Sequence, residues 1–198
     1  MSRAGNAEML QVTGLGKSRG ERILFQDLAF TLAEGEILGL SGPSGAGKTT
    51  LLSILAGLDA DYRGSLRWEG SPRIGMVFQS PRLLPWRTAV ENVALAVAGD
   101  RDKALAMLGK VGLAEAADIY PARLSLGMAR RVALARALVI EPDALLLDEA
   151  FVSLDPKSAD QARAIVLGAV ASRGMAVLTV SHDRPDLEKM AARILELA

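Results

Sequence analysis

The sequence predicts an α/β fold around a largely parallel sheet, on three observations. Short apolar runs alternate along the chain with longer stretches of helical periodicity. One run, EILGL at 36–40, leads straight into a glycine-rich segment, GPSGAGKTT at 42–50. Two others, ALLLD at 144–148 and AVLTVS at 176–181, are apolar throughout until a polar end. Strands buried on both faces read this way.

The elements follow in order. MLQVTGL at 9–15, LAFTLAEGE at 28–36 and SLRW at 65–68 alternate in polarity, which predicts half-buried strands in an outer layer of the sheet. EILGL, IGMVF at 74–78, ALLLD and AVLTVS are the predicted buried strands. Between IGMVF and ALLLD lies a mostly helical insert. Thr88 with Glu91 three residues on forms a capping box that opens AVENVALAVA. RDKALAMLGKVG is a second helix ending at Gly112. RLSLGMARRVALARAL at 123–138 holds a third, with Ser125 as its N-cap and a packing stripe of Met128, Val132, Ala135 and Val139. Pro156 suits the first turn of the helix PKSADQARAIVLGAVA. A helix near RPDLEKMAA and a strand RILEL close the domain.

With 198 residues, 50% of them hydrophobic, and a formal net charge of zero, the chain suffices for one domain with a sizeable core. Lys and Arg are scattered among Asp and Glu, so no nucleic-acid partner is expected. Zero cysteines exclude disulfides, thiolate metal sites and a cysteine nucleophile. MSRAGNAEMLQV lacks the apolar core of a signal peptide, and no run approaches the roughly 18 apolar residues of a membrane span, so the chain is not expected to cross a membrane by itself. No extension with a further domain is expected after RILELA.

GPSGAGKTT follows a predicted strand and opens a helix, the context that a phosphate-binding loop requires. Gly42, Gly45 and Gly47 let main-chain N–H groups approach a phosphate with no Cβ in the way. Pro43, Ser44, Ala46 and Thr50 complete the loop. Lys48 brings positive charge to the β- and γ-phosphates, and the Thr49 hydroxyl can ligate Mg²⁺. Asp148 and Glu149 end a buried strand, where ligands of open α/β sheets collect. Asp148 suits Mg²⁺ and Glu149 suits proton acceptance from an attacking water. Two acids at that position also serve elsewhere as helix caps or solvated residues. His182, the one histidine, and Gln79 end two further strands on the same rim. There His182 can meet a γ-phosphate, and Gln79 can reach both Mg²⁺ and the water. Asp155, six residues after Glu149, is a turn residue by composition and a candidate for contact across an interface.

In order and spacing, GPSGAGKTT, Gln79, LSLGM, LLLDEA, SLDP and His182 resemble the Walker A, Q-loop, signature, Walker B, D-loop and H-loop of ABC transporter nucleotide-binding subunits, over essentially the whole chain. The resemblance implies a P-loop NTPase fold of ABC type, with a mainly parallel core sheet, an antiparallel β layer and a helical subdomain. The core would take residues 1–80 and 136–198, and the subdomain 81–135. It implies ATP and Mg²⁺ as cofactors, hydrolysis served by Glu149, His182 and Gln79, and a head-to-tail homodimer that sandwiches ATP between one P-loop and the partner's signature. The dimer would drive integral-membrane permease subunits from the cytoplasmic face of the inner membrane, with a periplasmic solute-binding protein as an indirect partner. SPRLLPWRTAVENVALAV is similar to importers of nitrate, sulfonates, taurine and related small solutes.

Three departures accompany the resemblance. Arg19 stands where an aromatic usually stacks on adenine, and a guanidinium can also stack on a base. Ala150 follows Glu149 where the family often has proline, which loosens that turn. The signature carries Leu126 and Met128 in place of glycine and glutamine. Ser125 and Gly127 keep the atoms that face phosphate, because N–H groups at a helix start form an anion site. Met128 cannot complete a capping box, a loss of about 1 kcal/mol, and Leu126 must find room at the dimer interface. The alternatives are an ATP-sensing regulatory module with little hydrolysis and a P-loop kinase of another family.

Overall fold

The computed structural model describes residues 7–152 and 154–197. Its first layer is an antiparallel sheet of β1 (Glu8–Arg19), β2 (Arg22–Ala33) and β4 (Arg63–Trp68), in the order β2-β1-β4. The second is a five-stranded sheet of β3 (Ile37–Ser41), β5 (Ile74–Val77), β6 (Ala144–Asp148), β7 (Ala176–Val180) and β8 (Arg193–Glu196), ordered β5-β6-β7-β3-β8. Every pairing in it is parallel, so the predicted α/β class with a parallel core and an antiparallel layer holds.

Side-chain alternation on these strands builds two cores, one on each face of the parallel sheet. Leu38, Leu40, Leu146, Leu178 and Val180 point toward the antiparallel layer and α1 (Lys48–Leu55). Ile37, Leu145, Leu147 and Val177 point toward α4 (Leu126–Leu138) and α5 (Pro156–Arg173). An eight-residue helix is unstable alone. Four almost fully buried side chains on α1, Leu51, Leu52, Ile54 and Leu55, contribute roughly 1.5–3 kcal/mol each, so burial holds this helix in place.

The helical insert has its own core of Val90, Val93, Leu108, Val132 and Ala135, drawn from α2 (Ala89–Ala94), α3 (Arg101–Lys110) and α4, and Met128 packs against it. Both reciprocal hydrogen bonds of the Thr88–Glu91 capping box form. The fully buried Asn92 donates to the carbonyls of Leu84, Arg87 and Thr88 and accepts from the Leu84 N–H. Arg136 on α4 donates to the carbonyls of Pro81 and Arg82, each at 3.0 Å. Residues 81–88 are therefore tied to the insert at both ends.

Several boundaries differ from the sequence reading. β1 runs four residues past Leu15, and β2 begins at Arg22, six residues before the expected start. Register shifts around Leu15, Lys17 and Ser18 are bulges that scramble alternation while the ladder continues. The helix at 89 gives way to a 3-10 turn, Leu95–Val97, because Ala98 and Gly99 adopt φ +53° and +88°. The last helix, α6 (Arg184–Glu188), stops short of the expected RPDLEKMAA.

Candidate nucleotide and catalytic site

The loop between β3 and α1 turns on glycines that need to be glycines. Gly42, Gly45 and Gly47 have φ of +145°, +81° and +93°. A Cβ on Gly42 would lie 2.5 Å from the Leu197 carbonyl oxygen, and one on Gly47 3.0 Å from the Phe25 ring. Lys48, nearly buried, folds back into the loop and donates to the carbonyls of Gly42 at 2.6 Å and Pro43 at 2.9 Å. Its charge is thereby held at the loop centre. The Ala46 side chain packs in the core, whereas Ser44, Gly45, Thr49 and Thr50 line an open cavity of about 390 Å³.

Parallel register places the acids. Asp148 pairs with Val180 at the end of β6, and the Glu149 N–H continues the ladder to the Val180 carbonyl at 3.1 Å. Asp148 is 2% exposed, and burial pushes its carboxyl above the ordinary aspartate range. The Thr49 hydroxyl donates to it at 2.7 Å and partly offsets that shift. Glu149 sits at the cavity wall with both carboxylate oxygens engaged. Gln79 Nε2 donates to Oε2 at 2.9 Å, and His182 Nδ1 lies 3.3 Å from Oε1. The structure thus brings together Lys48, Thr49, Gln79, Asp148, Glu149 and His182, residues separated in the chain by up to 134 positions.

Other expected site residues lie elsewhere. Ser125 is exposed and its hydroxyl accepts from the Met128 N–H at 3.2 Å, as the N-cap reading expects. Neither it nor Gly127 lines this chain's own cavity. Asp155 caps α5, accepting from the Ser158 N–H at 3.0 Å, and hydrogen bonding from Ser158 lowers its pKa below the usual aspartate value. Ser153, in the same turn, lies outside the described residues. Arg19 closes β1 and lines both the P-loop cavity and a neighbouring one of about 760 Å³.

Two arginines at the site escaped the sequence reading, as did Arg136 in the insert. Arg22, the cross-strand partner of Arg19, donates to the Gly45 carbonyl at 3.2 Å. Arg130 on α4 donates to the Glu149 carbonyl at 3.0 Å and to that of Val152. It grips the turn in which Glu149 itself adopts φ +49°. The turn after Glu149 is therefore clasped, where Ala150 in place of proline led to an expectation of looseness. Only the hairpin pairing and the α4 contact reveal these residues, and neither has a spacing signature.

A glycine loop around an inward lysine, with a hydroxyl on a buried aspartate and a carboxylate at the rim, defines a P-loop nucleotide-binding site. Residues 25–152 match the ABC transporter family. The chain is 44% identical over 191 residues to the aliphatic sulfonates import ATP-binding protein SsuB 2 of Burkholderia cenocepacia, covering 92% of this chain and 71% of that one. It is 45% identical over 188 residues to the protein of the same name from Frankia alni, covering 94% and 76%. Among solved structures it resembles the dimeric ATP-binding cassette MJ0796 bound to ADP and Pi, with a TM-score of 0.88, 29% identity, and coverage of 96% of this chain and 94% of that one. The chain belongs to the ABC transporter family, as one of its ATP-binding ATPase cassettes.

Proposed function

We propose that this chain is the ATP-hydrolysing subunit of an importer for small organic solutes of the sulfonate kind, working as a single domain with a helical subdomain at about 81–135. The relatives' names support import and the sulfonate class. The observation that carries the catalytic reading is Glu149, held at the mouth of the P-loop between Gln79 and His182.

ATP phosphates lie against the main chain of residues 42–50, and Lys48 turns from the Gly42 and Pro43 carbonyls toward the β- and γ-phosphates. Thr49 and Asp148, 2.7 Å apart, fit a cation with oxygen ligands, and Gln79 adds a third oxygen from the rim. No group of three or more His, Cys, Asp or Glu among the described residues could hold a metal alone. The Thr49, Asp148 and Gln79 oxygens would suit Mg²⁺, a hard cation that takes oxygen ligands. When bound, Mg²⁺ neutralises charge on the phosphates. Glu149 accepts the proton of the attacking water once one of its two partners releases an oxygen, while His182 and Gln79 orient the γ-phosphate and that water.

Ser125 and Gly127 lie outside their own cavity because they complete the partner's site in a head-to-tail homodimer, with Asp155 at the interface. The permease docks on the insert. A groove of about 400 Å³ there is lined by Arg87, Val90, Ala94 and Leu95, and Trp86 beside it in sequence is 70% exposed. Force on this groove reaches Gln79 through Asn92 and Arg136, which hold the intervening loop. No helix among the described residues is long and apolar enough to cross a membrane. The subunit works as a peripheral protein on the cytoplasmic face, and a periplasmic solute-binding protein delivers cargo on the far side.

The decisive experiment is Glu149→Gln in the purified chain. ATPase activity in the unaltered protein, and its loss in the variant with an ATP-bound dimer trapped on size exclusion, are the expected results. Undiminished hydrolysis in the variant would remove Glu149 as the base. Absence of hydrolysis in the unaltered protein would favour the ATP-sensing alternative.

A further inference from the structure

His182 is placed by its backbone rather than by its side chain. Among the described residues its exposed imidazole makes a single hydrogen-bonding contact, with Glu149 at 3.3 Å. Before it, β7 is held from both sides, Val180 pairing in parallel with Leu40 and with Asp148. After it the ladder ends. The chain enters α6, a helix of five residues, too short to hold its shape alone. Leu187 anchors α6 by burial, and Asp186, four residues after His182, receives the Arg163 guanidinium in an ion pair.

Arg163 lies buried on α5 and reaches two segments at once. One guanidinium nitrogen meets Asp186, another donates to Asp160 at 2.9 Å, and the group stands 5.2 Å from the centre of the Phe151 ring, within range of a cation–π contact. Phe151 is itself buried, two residues after Glu149. A single side chain thus touches the segment that carries Glu149 and the segment that carries His182, while it does not line the P-loop cavity. Its Nε is buried without a hydrogen-bond partner. An unmet buried donor destabilises the fold, and well-packed apolar side chains often replace a buried ion pair without loss of stability. Packing alone therefore does not call for a cation here.

We infer that Arg163 is a positioning residue for hydrolysis: by joining Phe151 to Asp186 it sets His182 at its distance from Glu149. The inference rests on the roles proposed above for those two residues and adds the device that registers one against the other. Arg163→Met keeps length and apolar contact with Phe151 but gives Asp186 nothing to pair with on α5. Lys189, 3.7 Å from Asp186, offsets its charge from the end of α6 itself and so cannot tie that helix to α5. The segment after His182 is then held by Leu187 without its ionic tie, and the imidazole shifts against Glu149.

His182 is the only histidine in the sequence, so its ring gives the sole imidazole signals in heteronuclear NMR of the untagged full chain. Arg163→Met and Asp186→Asn, which remove the same pair from opposite sides, should each move those signals. Glu188→Gln breaks the exposed pair with Arg184 on the same helix and should leave them in place. In steady-state ATPase assays Arg163→Met should lower kcat by about tenfold or more, as a misplaced reacting group does, with KM for ATP within about threefold. Arg163→Lys should recover part of the rate. In a His182→Ala background Arg163→Met should lower the remaining rate by less than about twofold, since residues acting as one unit are not additive.

Imidazole signals that stay put in both Arg163→Met and Asp186→Asn overturn the inference, as does a full further loss of rate in the His182→Ala background. A loss that falls on KM overturns it too. In each of these cases an unaltered chain that hydrolyses ATP keeps the proposed function intact. If the unaltered chain hydrolyses no ATP, the proposed function fails first and the inference with it. Asp186→Asn leaves α5 unaltered, so misfolding of an Arg163 variant does not remove the test.

Discussion

Arg130→Ala is the sharpest test of how Glu149, the proposed catalytic base, is positioned. The Arg130 guanidinium donates to the carbonyls of Glu149 and Val152, and Glu149 between them holds φ +49°. A left-handed non-glycine residue costs on the order of 1–2 kcal/mol, and surrounding contacts must enforce it. Hydrogen bonds from a charged donor contribute roughly 1.5–3 kcal/mol each. Arg130 alone therefore exceeds the strain, and removing it lets the turn relax. A displacement on the order of 1 Å at a reacting group costs about 10²-fold in rate. Steady-state ATPase assays on Arg130→Ala should show kcat lowered by about 10- to 100-fold. ATP affinity should hold within about threefold, a shift smaller than about 1 kcal/mol, because the Lys48 contacts to the Gly42 and Pro43 carbonyls do not involve Arg130. Arg130→Gln, which keeps an N–H donor, should recover part of the rate. If kcat is unchanged in Arg130→Ala, or if the loss falls on ATP affinity instead, Arg130 does not position the base.

Other consequences are checked more briefly. Leu126, 53% exposed at the start of α4, should be replaceable by glycine with a gain in ATP-driven dimerisation by light scattering, whereas Met128→Gln loses packing in the insert and gains less; an unchanged dimer fraction in Leu126→Gly would refute the steric reading. Gly42→Ala should lower the melting temperature by about 2–12 °C, since a Cβ 2.5 Å from the Leu197 carbonyl forces backbone movement worth about 1–3 kcal/mol. Thr88→Ala removes the cap of α2 and should cost about 1 kcal/mol in chemical denaturation. Hydrogen bonds from the Thr88 N–H and hydroxyl hold the Glu91 carboxyl below its ordinary 4.5. A depressed acid contributes stability above its unfolded pKa and loses it as pH falls through the folded one. The destabilisation in Glu91→Gln should therefore be full at pH 7 and shrink below about pH 4.5; a difference that stays constant into acid would refute the contribution of that charge.

The contrast between legible and hidden residues has a physical origin. Lys48, Thr49, Asp148 and Ser125 could be read because each acts at the junction of one element with the next, where a glycine, a cap or an abrupt end to an apolar run marks the spot in the chain itself. Arg130 sits within α4 and Arg136 in its last turn, among other charged and small residues, and their acceptors are backbone carbonyls 19 to 55 residues away. A carbonyl is present at every residue, so no side-chain pattern records which one is used. Arg22 was hidden differently. Bulges near Leu15 and Lys17 broke the alternation that would have carried β1 to Arg19, and without the hairpin its cross-strand partner had no address. The chemistry of the site is therefore written in local motifs, while control over it passes through arginine-to-carbonyl contacts between elements. Substitutions at such arginines should alter turnover while leaving every recognisable motif intact, and motif inspection alone would pass these variants as fully active.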